Sequence, residues 1–320
     1  MADLALDHAA SAEARPARRR PLRRSAAESG ALRQYWTALA LSFPALFLMF
    51  LLLIGPIVTV LVMSFTDYQL GASTVGFIGL DNYRDLFADR VFWKSLGNTL
   101  RYVAIVVPAS VALGLGVALL IESGGSLKNF YRAVFFIPVM ATLIAMAISW
   151  EYMLHPQFGL INLMLKQVGL PPQAWLTDPA LALPTLAAIG VWQLFGFNMV
   201  LFLAGLISIP RHLYDAAELD GARSAWSRFW LVTWPMLGPV TMFVVIISAI
   251  RSFQVFDTVH VLTKGGPNKA SEVLLYSMYS EGFEFFRSGL AAAIAVVFLA
   301  FVLTLTVIKA RLIEKRVHYA

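Results

Sequence analysis

The residues Ser208-Ile-Pro-Arg-His-Leu-Tyr-Asp-Ala-Ala-Glu-Leu-Asp-Gly-Ala-Arg223 form a polar stretch that continues through Trp226 and Phe229 to Pro235 and Pro239. Pro210 suits the first turn of a helix, where a missing N–H costs no intrahelical bond. Arg211 to Leu219 are helix-forming, and Asp220-Gly221 is a turn signal. A second short amphipathic segment follows until Pro235 and Pro239 mark a restart. The stretch reads as helix, turn and helix lying outside a bilayer, between two apolar runs. From these residues alone, an ordinary interhelical connection and a functional element are equally open.

Working outward, the flanking runs decide the class. The chain has 320 residues, is 59% hydrophobic and has a mean hydropathy of +0.71. Several runs reach the roughly 20 apolar residues that cross a bilayer as a helix. Lipid cannot satisfy open backbone groups, so the expectation is an all-α integral membrane protein. The aromatic residues show no strand-like alternation that would suggest a membrane barrel. Six spans are expected, at about 36–65, 98–121, 130–154, 183–207, 231–256 and 289–308. The first is to be broken or tilted near Pro44, Gly55 and Pro56, and the third interrupted at Pro138. The first run is too long for a signal-sequence core. Residues 1–34, rich in Ala, Arg and Ser, are expected to be a disordered tail, and 35–320 the transmembrane domain.

Charge sets the orientation. With an even number of spans, both termini share one side. Putting them in the cytoplasm places 16 of the 25 Lys and Arg inside: seven before Tyr35, then Lys128, Arg132, Arg211, Arg223, Arg228, Lys309, Arg311, Lys315 and Arg316. The positive-inside rule favours this arrangement, so the stretch 208–230 becomes a cytoplasmic loop. The net charge of +6 needs no nucleic acid, because arginines of the tail suit a cytoplasmic flank beside anionic lipid. Absence of cysteine rules out disulfides, thiol catalysis and thiolate metal sites.

In this light, Asp215-Ala-Ala-Glu-Leu-Asp-Gly-Ala222, followed by Phe229 and Pro235, resembles the EAA loop of permease subunits of binding-protein-dependent ABC importers. Ala216, Ala217, Asp220, Gly221 and Ala222 match as they stand, and Asp215 replaces the family's usual Glu, keeping the charge and shortening the reach. Phe77-Ile-Gly-Leu-Asp-Asn-Tyr83, Asn98-Thr-Leu100 and Val255-Phe-Asp-Thr-Val-His-Val-Leu-Thr-Lys-Gly-Gly-Pro267 look like the carbohydrate-uptake branch. Tyr279-Ser-Glu-Gly-Phe283 and the ending Arg311–Tyr319 lean toward its glycerol-3-phosphate permeases. The resemblance implies a bacterial or archaeal inner-membrane subunit whose loop, Asp215 to Arg223, is a coupling helix seated in a groove of an ATPase. It also implies a second homologous permease, two cytoplasmic ATPase subunits holding ATP and Mg, and an extracytoplasmic binding protein. That protein should dock on the outer segments 67–97, 155–182 and 257–288. Physically, Ala216 and Ala217 would allow close approach of a partner, and Asp215 and Glu218 would share one helix face.

No catalytic chemistry competes with this. Gly265-Gly-Pro-Asn-Lys-Ala-Ser271 has the wrong spacing for a phosphate loop, and the five histidines are scattered, so no cofactor or metal is expected on this chain. Intramembrane polar residues are the place to look for solute contacts: Glu151, Tyr152, Gln193, Asn198, Arg251, Ser252, Gln254 and Asp257. Arg251 either faces the path or pairs with Glu151 or Asp257. Trp192, Phe195 and Phe197 are expected to be packing, and Gly114, Gly116, Gly190, Gly196 and Gly205 to permit close helix contacts. The function expected is solute import driven by a partner's ATP hydrolysis. The alternative is an ion-coupled secondary transporter, which would leave the EAA-like loop unexplained.

Overall fold

The computed structural model describes residues 24–124 and 126–314; regular structure among them is helical, apart from one isolated bridge between Thr66 and Phe77. In chain order the helices are α1 (Arg24–Met49), α2 (Gly55–Met63), α3 (Asp81–Ala88), α4 (Arg90–Ser123), α5 (Lys128–Met140), α6 (Leu143–Met153), α7 (Leu160–Gln167) and α8 (Ala182–Ser208). Then come α9 (Arg211–Leu219), α10 (Ala225–Arg228), α11 (Trp234–Met236), α12 (Gly238–Phe253), α13 (Asp257–Leu262), α14 (Leu274–Tyr279) and α15 (Ser288–Glu314). Wide π-turns occupy Phe50–Ile54, Phe229–Thr233 and Ser280–Glu284.

The described residues up to Val58 form one compact unit and those from Thr59 onward the other. In the first, α1 begins at Arg24, so part of the tail expected to be disordered is helix. Ala, Glu, Leu, Arg and Gln in this stretch are strong helix formers. The rest of that tail, 1–23, lies outside the described residues. No break occurs at Pro44. The run Tyr35–Met63 stays helical, and the irregularity is the wide turn Phe50–Ile54, closed by Gly55 N–H donating to the Phe50 carbonyl.

The second unit is built around α8, which packs against α4, α5 and α12. Asp89 starts α4 by accepting a hydrogen bond from Val91 N at 2.8 Å, which draws the helix back to Arg90 from the expected start near 98. On α4 the residues Asn98, Tyr102, Val106, Ser110, Gly114, Ala118 and Ile121 are buried, a stripe at helical spacing that faces α8. A Cβ on Gly114 would lie 2.7 Å from that of Asn198, and one on Gly196 would collide with the Phe135 carbonyl. Gly190 and Gly205 are equally crowded, so four of the five glycines act as expected. Gly116 does not, because nothing lies within 4 Å of where its Cβ would be.

Four described helices are long and apolar enough to cross a membrane: Tyr35–Met63, Arg90–Ser123, Ala182–Ser208 and Gly238–Leu262. The expected third span is α5 and α6 bent by 99°; counted as one span, the pair makes five. Its break falls at Ala141 and Thr142, whose backbones are extended, while Pro138 stays inside α5. The expected last span lies within α15, of which Ser288–Thr304 counts as a shorter apolar helix among the described residues.

Candidate functional site

The stretch quoted first folds as a short projection anchored by small residues. Pro210 sits just before α9 with extended backbone. After Leu219 the chain reverses at Gly221, whose φ of +95° is strained for any residue with a Cβ. Ala222 N–H donates to the Ala217 carbonyl at 2.8 Å and Gly221 N–H to that of Glu218 at 3.1 Å. Ser224 then caps α10 by accepting from Ser227 N. Ala217 and Ala222 are buried in a cluster with Phe202, Leu206, Ile209, Val232 and Leu237, and Tyr214 hydroxyl meets Thr233 Oγ1 at 3.0 Å. Asp215, Ala216, Glu218, Asp220, Gly221 and Arg223 are exposed. Asp215 and Glu218 thus stand outward, as expected. Ala217 does not face a partner; it seats α9 on its own core. Leu219, which sequence reasoning passed over, is 90% exposed. Its spacing of four from Asp215 was the available signal.

A second feature is a cavity of about 280 Å³ whose walls are largely apolar, with Val106, Val139 and Leu194 among them. Into it come polar groups of Gln193 from α8, Arg251 and Ser252 from α12, and Gln254, Asp257 and Thr258 just beyond it. Five of the eight sequence candidates meet here. Arg251 forms no ion pair with Glu151 or Asp257 among the described residues; its guanidinium lies 4.2 Å from the Phe197 ring centroid. Ser252 and Thr258 hydroxyls are buried without a hydrogen-bond partner.

The other three candidates are elsewhere. Glu151 and Tyr152 are exposed on α6 and do not line the cavity. Asn198 is fully buried, donating to Ser110 Oγ at 3.2 Å and accepting from Ser248 Oγ at 3.0 Å, so it joins α4, α8 and α12. Trp192 packs edge-on to Trp150 and Phe195 to Phe135. Tyr102 and Thr258 line the cavity and were missed; the inward stripe of α4 was the signal for Tyr102.

The loop 263–273 is tied to the start of α4. Lys94 Nζ donates to the Asn268 carbonyl, and Asn98 Nδ2 to those of Lys269 at 3.1 Å and Glu272 at 2.9 Å. Thr99 Oγ1 accepts from Leu274 N at 2.9 Å. Glu272 is buried with Lys269 Nζ 2.6 Å away; burial pushes its carboxyl above the usual range, and Lys269 opposes this. Two segments singled out separately in the sequence, Asn98-Thr99 and the run through Pro267, are therefore parts of one structure.

Residues 110–319 match the family described as the binding-protein-dependent transport system inner membrane component. The chain belongs to this family. It is therefore a multi-pass membrane permease component, and the EAA-like turn falls within the matched region. The sn-glycerol-3-phosphate transport system permease protein UgpA of Agrobacterium fabrum is 32% identical over 76% of this chain and 83% of its own. The sulfoquinovosyl glycerol transport system permease protein SmoG of the same organism is 30% identical over 87% of this chain and 91% of its own. The fold is that of a bacterial alginate ABC transporter solved in complex with an alginate pentasaccharide-bound periplasmic protein, at TM-score 0.77 and 23% identity, covering 89% of this chain and 96% of that one.

Proposed function

We propose that this chain is one transmembrane half of an ATP-driven importer for a carbohydrate or glycerol-3-phosphate-like solute, with both termini in the cytoplasm. The solute class is supported by what UgpA and SmoG are named for carrying. In this reading a second related permease completes the path, and an extracytoplasmic binding protein delivers the solute. Two separate ATPase subunits bind ATP and Mg and contact the exposed face of Asp215, Ala216, Glu218, Asp220, Gly221 and Arg223. Ala217 and Ala222, buried between the ends of α8 and α12, pass the ATPases' motion into the bundle. Gln193, Arg251, Ser252, Gln254 and Asp257 meet the solute, with Arg251 supplying the positive charge and the amides and hydroxyls matching a polyol.

The observation that carries this proposal is the α9 turn: outward carboxylates on a helix whose inner face packs on the 229–233 turn and joins an apolar cluster with residues of α8 and α12. Gly221→Val tests it. A side chain at this left-handed turn costs about 1–2 kcal/mol, which shifts the equilibrium constant against the turn about tenfold. ATP-dependent uptake by the assembled transporter is expected to fall while the helices stay inserted. Uptake that needs no ATP would sink the reading. Arg251→Ala tests the cavity separately: solute-dependent uptake should weaken in a stably assembled complex, and an unchanged concentration dependence removes Arg251 from the path.

A further inference from the structure

Beside the α9 turn lies another cavity, of about 670 Å³, which shares Tyr214 and Thr233 with the anchor of that turn and is otherwise used by neither site above. One wall is the end of α4, where Gly116, Leu120 and Ser123 follow at helical spacing. The opposite wall carries Trp226, Arg228 and Phe229. The groove is apolar and open: Leu120 is 72% exposed and Trp226 69%. Trp226, Phe229, Trp230 and Trp234 form one aromatic cluster, with neighbouring ring centroids 5.2 to 6.0 Å apart. Amphipathic rings of this kind favour the headgroup level of a bilayer. Arg228 is half-buried and makes no ion pair with any described carboxylate. At the same end of α4, Lys128 and Arg132 lie 3.6 and 3.9 Å from Glu122.

We propose that this groove holds one anionic phospholipid, with its phosphate on Arg228 and an acyl chain along α4 from Ser123 to Gly116. A guanidinium presents planar paired donors that match a phosphate. At ~1.5 Å per residue, Ser123 to Gly116 spans about 10 Å, from headgroup depth into the acyl region. Gly116 supplies room, since a Cβ at that position would have no neighbour within 4 Å. The inference needs only that the chain spans a bilayer, so it stands or falls apart from the coupling proposal.

The test uses the complete transporter in nonionic detergent with an equimolar mixture of phosphatidylglycerol and phosphatidylcholine, bound lipid being counted by native mass spectrometry. The unmodified transporter is expected to hold phosphatidylglycerol in preference by about fivefold. Arg228→Gln should erase the preference while lipid is kept. Gly116→Leu, whose Cβ meets no neighbour within 4 Å and whose longer side chain extends into the groove, should shed lipid of both kinds. Equal retention of the two lipids by the unmodified transporter, or an unchanged preference in Arg228→Gln, overturns the proposal. Should Arg228→Gln fail to assemble, undiminished lipid in Gly116→Leu overturns it alone. So does a photocrosslinker at Leu120 that captures a neighbouring subunit instead of lipid.

Discussion

The loop 263–273 and the turn 219–224 both reverse the chain through left-handed residues, yet they are held in opposite ways. In the first, Lys264, Gly265, Asn268 and Lys269 take positive φ, and side chains of Lys94, Asn98 and Thr99 reach in to bind its backbone. Its carboxylate, Glu272, points into the protein and is neutralised there by Lys269. The second rests on two alanines and one hydroxyl contact, and its carboxylates point out unpaired among the described residues. A loop that consumes its own polar groups is a finished structure. A turn that buries only methyl groups and presents its charges is built to be met by something else.

Perturbing each turn at its anchor should separate them. Asn98→Ala removes two donors and strands one buried and one partly buried carbonyl, so it should destabilise the 263–273 loop by about 1–3 kcal/mol, read as lost hydrogen-exchange protection confined to that loop. Intact protection would mean the loop holds itself. Ala217→Leu overpacks the seat of α9 and should cost about 1–3 kcal/mol, with uptake falling more than assembly does; unchanged uptake would make that seat irrelevant to transport. Glu272 gives a smaller, pH-dependent effect. Its folded carboxyl titrates above the ordinary 4.5, so its protonated form is favoured, and the loop's protection should be fullest below about pH 4.5 and decline as pH rises through the raised value. Glu272→Gln should flatten that dependence; a dependence of equal size in the variant would assign it to another group. Smallest of all, Glu218→Ala should change stability by less than about 0.5 kcal/mol, as an exposed surface change does, while reducing the stimulation of the ATPase.

Much of this contrast was legible in the residues. Pro210 before a helix and Asp220-Gly221 as a reversal follow from local rules and were found where they were expected, whereas the long apolar runs became helices whose bounds and straightness differ from the expected spans. What could not be seen was direction. Ala216 and Ala217 are chemically alike, but one step along a helix turns the side chain by about 100°, and only the second is buried in the cluster that includes Phe202 and Leu237. Polar residues in apolar runs pose the same problem. Asn198 and Gln193 look equivalent in sequence; the packing of three helices gives Asn198 two serines and leaves Gln193 at the cavity. Span ends were misplaced where a side chain the periodicity ignores, such as Asp89, starts a helix early.

The central claim is that the turn around Gly221 is where the ATPase meets this chain. The sequence contains no cysteine, so a single introduced thiol reports one position. Glu218→Cys and Asn268→Cys, each in the assembled transporter and treated with a short crosslinker that joins a thiol to a lysine amine, give the most direct measurement. Glu218→Cys is expected to link to the ATPase subunit and Asn268→Cys not to. An ATPase adduct at 268 with none at 218 would contradict the account.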